Sequence, residues 1–198
     1  TPPGEDRGAR ILSDCAHAIR AAVDLPLQAQ CEPPGDDLWH HRMKEAGIDS
    51  LGMHLEVVNP VLRKKIMPGK SEVSLDRYFE SFSVAVDVFG WGQVSTYILA
   101  GLGDSAEEIL EICDKLTLIG VYPFVVPFVP VSGTPLESHK PPSPEFMRSV
   151  LGPLAEMILE AGMSSDKIKA GCGKCGACSA LSAFERIKIL SNQKAMAC

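Results

Sequence analysis

Apolar positions in this chain fall at two spacings, and their alternation predicts helices and strands in turn. A helical stretch over Gly8–Val23 leads into the apolar run Leu25–Cys31, which Glu32-Pro33-Pro34-Gly35 closes as a strand and turn. Asp36-Asp37 then caps a helix through Leu38, Trp39, Met43 and Ala46 that ends at Gly47. A second strand spans Ser50–Glu56, and a loop marked by Asn59-Pro60 and Pro68-Gly69 follows. Ser74–Phe89 places Leu75, Tyr78, Phe79, Phe82 and Val86 at helical intervals. The third strand, Gln93–Ala100, runs into Gly101-Leu102-Gly103-Asp104-Ser105, after which Ala106–Leu118 is helical, with Ser105 as cap and Glu108 three residues on. The fourth strand, Tyr122–Val129, is nearly all apolar, as suits burial on both faces of a parallel sheet. A last long helix, Pro144–Ala161, precedes a Cys-rich knot at Cys172 and a helical tail from Leu181.

Strands alternating with helices imply right-handed βαβ crossovers and a parallel sheet, doubly wound or part of a barrel. Chemistry then belongs on the loops that follow the strand C-termini. The 198 residues suffice for one domain or a piece of a larger barrel. Nineteen Lys and Arg against 25 Asp and Glu leave a net charge of −6 without a basic stripe, which argues against nucleic acid as a partner. The longest uncharged apolar run, Val121–Val131, is interrupted by three prolines and too short to cross a membrane. The first residues, Thr1 to Asp6, carry neither Met nor the pattern of an export signal. A reducing, cytoplasmic setting is expected, with the seven cysteines as thiols or metal ligands.

Polar residues gather at the strand ends. His54 and Glu56, two apart on the second strand, leave the same face and could meet a ribose diol. Arg77, on the following helix, could fork onto a carboxylate. Gly101 and Gly103 permit close backbone approach to a ligand, and Asp104 opens the next helix. A further backbone-exposing turn, Val131-Ser132-Gly133-Thr134-Pro135-Leu136, follows the fourth strand.

These four stations, His54-Leu55-Glu56, Arg77, Tyr97-Ile98-Leu99-Ala100-Gly101-Leu102-Gly103-Asp104, and Pro127 through Gly133-Thr134-Pro135-Leu136, resemble the radical S-adenosylmethionine (SAM) superfamily. Members similar to biotin synthase are the nearest likeness, and it covers roughly Leu25 to Glu137. Asp104 stands where that pattern usually has Glu. The resemblance implies an α/β fold, a partial parallel (β/α) barrel over positions 1–140, with a C-terminal helix and Cys-rich extension over 141–198. It implies S-adenosylmethionine bound beside a [4Fe-4S] cluster, which yields a 5′-deoxyadenosyl radical that takes hydrogen from a small-molecule substrate. An electron donor is implied with it. By the same resemblance His54 and Glu56 would hold the ribose hydroxyls, Arg77 the methionyl carboxylate, Leu99 and Val129 the adenine face, while Asp104 would support its turn. No catalytic residue is assigned.

The family's Cys-x3-Cys-x2-Cys loop does not occur in these residues, so the radical-generating cluster would take its ligands from elsewhere. Two preceding βα units, or a partner chain, are expected to complete the barrel and cap its open edges. Cys172, Cys175 and Cys178, spaced Cys-x2-Cys-x2-Cys, read as an auxiliary iron-sulfur site or a zinc site, with Cys198 as a candidate fourth ligand. Gln28, Gln30, Cys31 and Glu32, at the end of the first strand, are candidate substrate contacts. Cys15 and Cys113 read as buried structural thiols, and His40 and His41 as solvated. The competing class is a zinc-stapled, non-catalytic α/β module that docks a partner subunit. A flavin- or phosphate-binding barrel is a third reading.

Overall fold

The computed structural model describes residues 6–196. Four parallel strands, β1 (Gln28–Gln30), β2 (Ser50–Gly52), β3 (Val94–Ala100) and β4 (Val121–Pro127), lie side by side in chain order, each joined to the next by helical crossovers. Helix α1 (Ala9–Ala22) precedes β1, and α2 (Leu38–Glu45) links β1 to β2. Between β2 and β3 run α3 (Pro60–Ile66), a 3-10 turn (Lys70–Glu72) and α4 (Leu75–Phe89). Helix α5 (Ala106–Leu118) leads to β4, and α6 (Pro144–Glu160), a 3-10 turn (Ser165–Lys167), α7 (Cys172–Cys175) and α8 (Leu181–Met196) complete the chain.

The helix starts are local chemistry. Ser105 and Glu108 satisfy each other's backbone N–H groups in a capping box. Ser74 accepts from the Arg77 amide at the start of α4. Asn59 accepts from the Val61 and Leu62 amides, with Pro60 in the first turn, so α3 forms where the sequence predicted only a loop. The first two strands are shorter than expected, although a bridge from Glu56 to Ile98 continues the β2 line past His54. Glu56 sits there at φ +65°, a left-handed backbone that few non-glycine residues adopt.

Parallel register pairs Ser95 with Tyr122, Tyr97 with Phe124 and Leu99 with Val126. With Gln28 and Gln30, these residues form one face of the sheet; Ala29, Leu51, Val94, Ile98 and Val121 form the other. The first face is covered by the chain's own C-terminal segment. Gly171 lies against Gln28 and Gly173 against Tyr122, the Ala170 amide donates to Ser50 Oγ at 3.3 Å, and Gln93 makes two hydrogen bonds to the Lys167–Lys169 backbone. Ser179 Oγ donates to the Val125 carbonyl at 2.6 Å on the outer edge of β4. The most buried tie is Glu185 of α8, 1% exposed, which accepts from Tyr122 Oη at 2.5 Å and from the Ser165 amide and hydroxyl at 2.9 and 2.8 Å.

Candidate active site

A cavity of about 290 Å³ opens on this inner face, lined by Gln30, His54, Glu56, Tyr97, Leu99 and Cys172. Four elements contribute to it: the ends of β1 and β3, the loop after β2 and the C-terminal Cys segment. His54, Glu56 and Leu99 line it together.

His54 is held in one tautomer by its neighbours. Its Nδ1 accepts the Tyr97 amide at 3.1 Å, which leaves the ring proton on Nε2. Burial, helped by the Lys70 charge, pushes its pKa down from 6.5 to about 4, so the imidazole is neutral. Nε2 is buried and has no hydrogen-bond partner. His54, a residue of the cavity wall, therefore carries a buried donor, not the acceptor that pairing with Glu56 suggested. The Glu56 carboxylate is ion-paired with Lys70. Arg63, 3% exposed, donates to the Leu55 and Val57 carbonyls and so braces the loop that carries both residues. Asp104, 4% exposed, accepts from the Val58 and Asn59 amides at 3.2 and 2.8 Å, fastening the same loop to the start of α5. Burial holds its carboxyl above the usual range despite those two donors.

Other expected site residues lie elsewhere. Arg77 forks onto Asp37, at 2.7 and 3.0 Å, and onto the Pro34 carbonyl at 2.6 Å, so its guanidinium joins α4 to the loop before α2 and does not line the cavity. Gly101 and Gly103, at φ +103° and +118°, do take the backbone only glycine favours, but protein fills the space beside them: a Cβ would meet Pro142 at 2.7 Å and Leu62 at 3.0 Å. Val129 lines a second, apolar cavity of about 320 Å³ with Ile66, Phe128, Val131, Pro135 and Leu136, apart from the one that Leu99 lines.

Among the first-strand candidates only Gln30 reaches the cavity. Gln28 is pinned between Ser95 Oγ and Gly171, and Glu32 is paired with Arg7 at 2.7 Å. Cys31 packs against the core, where burial and then the Glu32 charge push its thiol up to about 12, too high for a reactive thiolate. Cys15 is exposed, not buried, whereas Cys113 is buried as expected. His40 is fully buried, not solvated, with Nε2 at 2.8 Å from Ser81 Oγ.

Lys70 and Tyr97 belong to the site and were not singled out from the sequence. Tyr97 was legible, since it lies two residues from Leu99 on one strand face; nothing local marks Lys70. Cys172 reaches the cavity, and Cys175 and Cys178 are exposed close by. No three His, Cys, Asp or Glu side chains among the described residues stand together as a ready metal site. Cys198, the candidate fourth ligand, lies outside the described residues.

Parallel βα units with a cavity at the strand ends define a portion of a (β/α) barrel. No protein-family model matches the chain. The bacteriochlorophyllide c C-7(1)-hydroxylase of Chlorobaculum limnaeum is 30% identical over 139 residues, 69% of this chain and 34% of that protein. An uncharacterized protein of Methanocaldococcus jannaschii, MJ0785, is 30% identical over 115 residues, 53% of this chain and 28% of that protein. The chain thus spans about a third of the length of the curated relatives it matches. Among solved structures, methylornithine synthase (PylB) superposes with a TM-score of 0.62 at 18% identity over 89% of this chain and 50% of that one. Coproporphyrinogen III oxidase (HemN) from Escherichia coli, a radical SAM enzyme, gives 0.55 at 13% identity over 78% and 37%. The chain carries part of the barrel fold of these solved structures, one of them a radical SAM enzyme, and is similar to the superfamily that its motifs resemble.

Proposed function

We propose that this chain is the portion of a radical SAM enzyme that holds the nucleoside of S-adenosylmethionine. One observation carries the reading: a buried His54 Nε2–H without a partner and the Glu56 carboxylate share a cavity wall, a donor and an acceptor that a vicinal ribose diol would satisfy together. Leu99 offers the adjoining apolar surface for adenine. Lys70 orients the Glu56 carboxylate, and Arg63 and Asp104 hold the loop in place. Bound next to a [4Fe-4S] cluster, S-adenosylmethionine supplies a 5′-deoxyadenosyl radical for hydrogen abstraction from a small organic substrate. The cavity's part is orientation and exclusion of water. Gln30 is the candidate substrate or ribose contact from β1. A separate zinc-stapled docking module fits less well, because Cys172 lines the same cavity as His54.

The test is S-adenosylmethionine binding by calorimetry, and 5′-deoxyadenosine formation, with the anaerobically reconstituted full-length protein. Glu56→Ala and His54→Ala are each expected to weaken binding about tenfold, the loss of one hydrogen bond involving a buried or charged partner. No binding by the unaltered protein, or unchanged affinity in both variants, would overturn the reading.

A further inference from the structure

Trp91 and Leu118 lie just ahead of β3 and β4, at the N-terminal ends of the strands and so opposite the His54–Glu56 cavity. Active sites of parallel barrels sit at the C-terminal ends, so neither residue serves the chemistry. Both are nonetheless large, apolar and open, at 52% and 71% exposure. They line one cavity of about 310 Å³ with Met157, Ala161, Asp114 and Glu160. Apolar residues scattered singly over a surface need no explanation, but a shared apolar patch rimmed by charge marks a place of contact.

The indole is fixed before anything binds. A Cβ on Gly120 would fall 2.5, 2.7 and 2.9 Å from three consecutive ring atoms, which sets Gly120 against one face of the ring. The Trp91 Nε1–H donates to the Ala161 carbonyl at 2.9 Å, and the Gly92 amide donates to the Gly120 carbonyl at 2.8 Å. Ring and backbone are thereby tied to the end of α6 and to the turn between α5 and β4. An aromatic side chain held in this way loses little freedom on binding, which suits it as an interface anchor.

The rim is acidic. Asp114 and Glu160 are exposed, and among the described residues no Lys or Arg pairs with either. Two lysines close to them in sequence are engaged elsewhere, Lys115 with Glu111 at 2.7 Å and Lys167 with the Gly162 carbonyl at 2.7 Å. A cation over an indole with carboxylates beside it is drawn to both. A second copy of this chain would instead set these carboxylates against their own counterparts, like charge facing like.

We propose that the Trp91–Leu118 platform docks a basic segment of a partner protein, with an arginine stacked on the indole and paired with the Asp114 and Glu160 carboxylates, and an apolar neighbour of that arginine against Leu118 and Met157. Arginine fits better than lysine because its planar guanidinium stacks on a ring and forks onto a carboxylate at once.

The test is fluorescence anisotropy of a labelled hexapeptide of alternating arginine and leucine, titrated with the full-length protein. Binding is expected, and it weakens by about threefold or more as salt rises from about 0.01 to about 0.15 M, where the Debye length falls from about 30 to about 8 Å. Trp91→Ala should weaken it about tenfold, as loss of an interface anchor does. Asp114→Asn combined with Glu160→Gln should weaken it about threefold at low salt and remove most of the salt dependence. Circular dichroism checks folding; should Trp91→Ala unfold, Leu118→Lys, at an exposed position, carries the test with a loss of about tenfold. No binding, equal binding of a glutamate–leucine hexapeptide, or binding unchanged in Trp91→Ala and Leu118→Lys would overturn the proposal. So would a dimer in sedimentation that Trp91→Ala converts to monomer, because that assigns the face to a second copy. The platform and the nucleotide cavity share no residue, so failure of the nucleotide reading leaves this result unchanged.

Discussion

Removing the Tyr122 hydroxyl asks whether the C-terminal helix is an integral part of the barrel wall. Tyr122 and Glu185 are both buried, 63 residues apart in sequence, and meet at 2.5 Å. Burial and the nearby carboxylate both push the phenol pKa up, so Tyr122 is the donor. Glu185 has two further donors, the Ser165 amide and hydroxyl. A hydrogen bond to a charged group contributes about 1.5–3 kcal/mol, so Tyr122→Phe should cost about 2 kcal/mol. For a domain of this size that lowers the melting temperature by about 4–8 °C. Glu185→Ala leaves three buried donors without an acceptor and should cost about 4 kcal/mol. Because both substitutions remove the same bond, the double variant should lose about 1–3 kcal/mol less than the sum of the two. Urea unfolding of the four proteins measures this cycle. A Tyr122→Phe loss below about 0.5 kcal/mol, or strictly additive losses, would refute the view that this bond clamps α8 to β4.

Arg77→Ala should destabilise the protein by about 2 kcal/mol through loss of its fork onto Asp37, while leaving S-adenosylmethionine affinity within about twofold. Lost affinity at unchanged stability would return Arg77 to the carboxylate role its position in sequence suggests. The pKa values of His54 and His40 are both pushed down from 6.5 to about 4, chiefly by burial. The unfolded chain takes up these protons at a higher pH than the folded one, so stability is full above pH 6.5 and is lost as pH falls from there towards 4. Each histidine accounts for on the order of 3 kcal/mol, and urea midpoints across that window would be flat if the burial argument is wrong. Gly171→Ala, with both a positive φ and a clash against Gln28, should cost about 2 kcal/mol. Gly133→Ala, at φ +79° with no atom within 4 Å, should cost only about 1 kcal/mol. Equal losses at the two glycines would remove the case for a tightly seated loop.

The meeting of His54 with Leu99 could be read before any coordinates because it follows from strand alternation and from the parallel order of the units, whereas Glu56, bridged to Ile98 of the other face and at φ +65°, reaches the cavity outside that alternation. Asp104 was readable as support for its turn, although not that its partners would be the Val58 and Asn59 amides in the loop after the preceding strand, β2. Arg77 shows where such reading stops: its partner Asp37 lies 40 residues away. An arginine at the right helical position looks the same in sequence whether it meets a ligand or a neighbouring loop. His40 fails for a related reason. Its neighbours on α2 are polar, but α4 packs over it and brings Ser81 to its ring.

The sequence by itself determined the order and kind of the elements, because caps, turn glycines and the spacing of apolar residues act over a few positions. The Ser105–Glu108 box and the start of α4 at Ser74 are of that kind. It also carried the three-cysteine spacing and the His-x-Glu pair. Only the tertiary structure decided that the cysteine loop turns back onto the inner face of the sheet, that Lys70 completes the Glu56 wall, and that Glu185 ties the last helix to β4. Those contacts join residues 14 or more positions apart. They are set by which surfaces the crossovers leave uncovered, a property of the assembled sheet that no local stretch of chain contains.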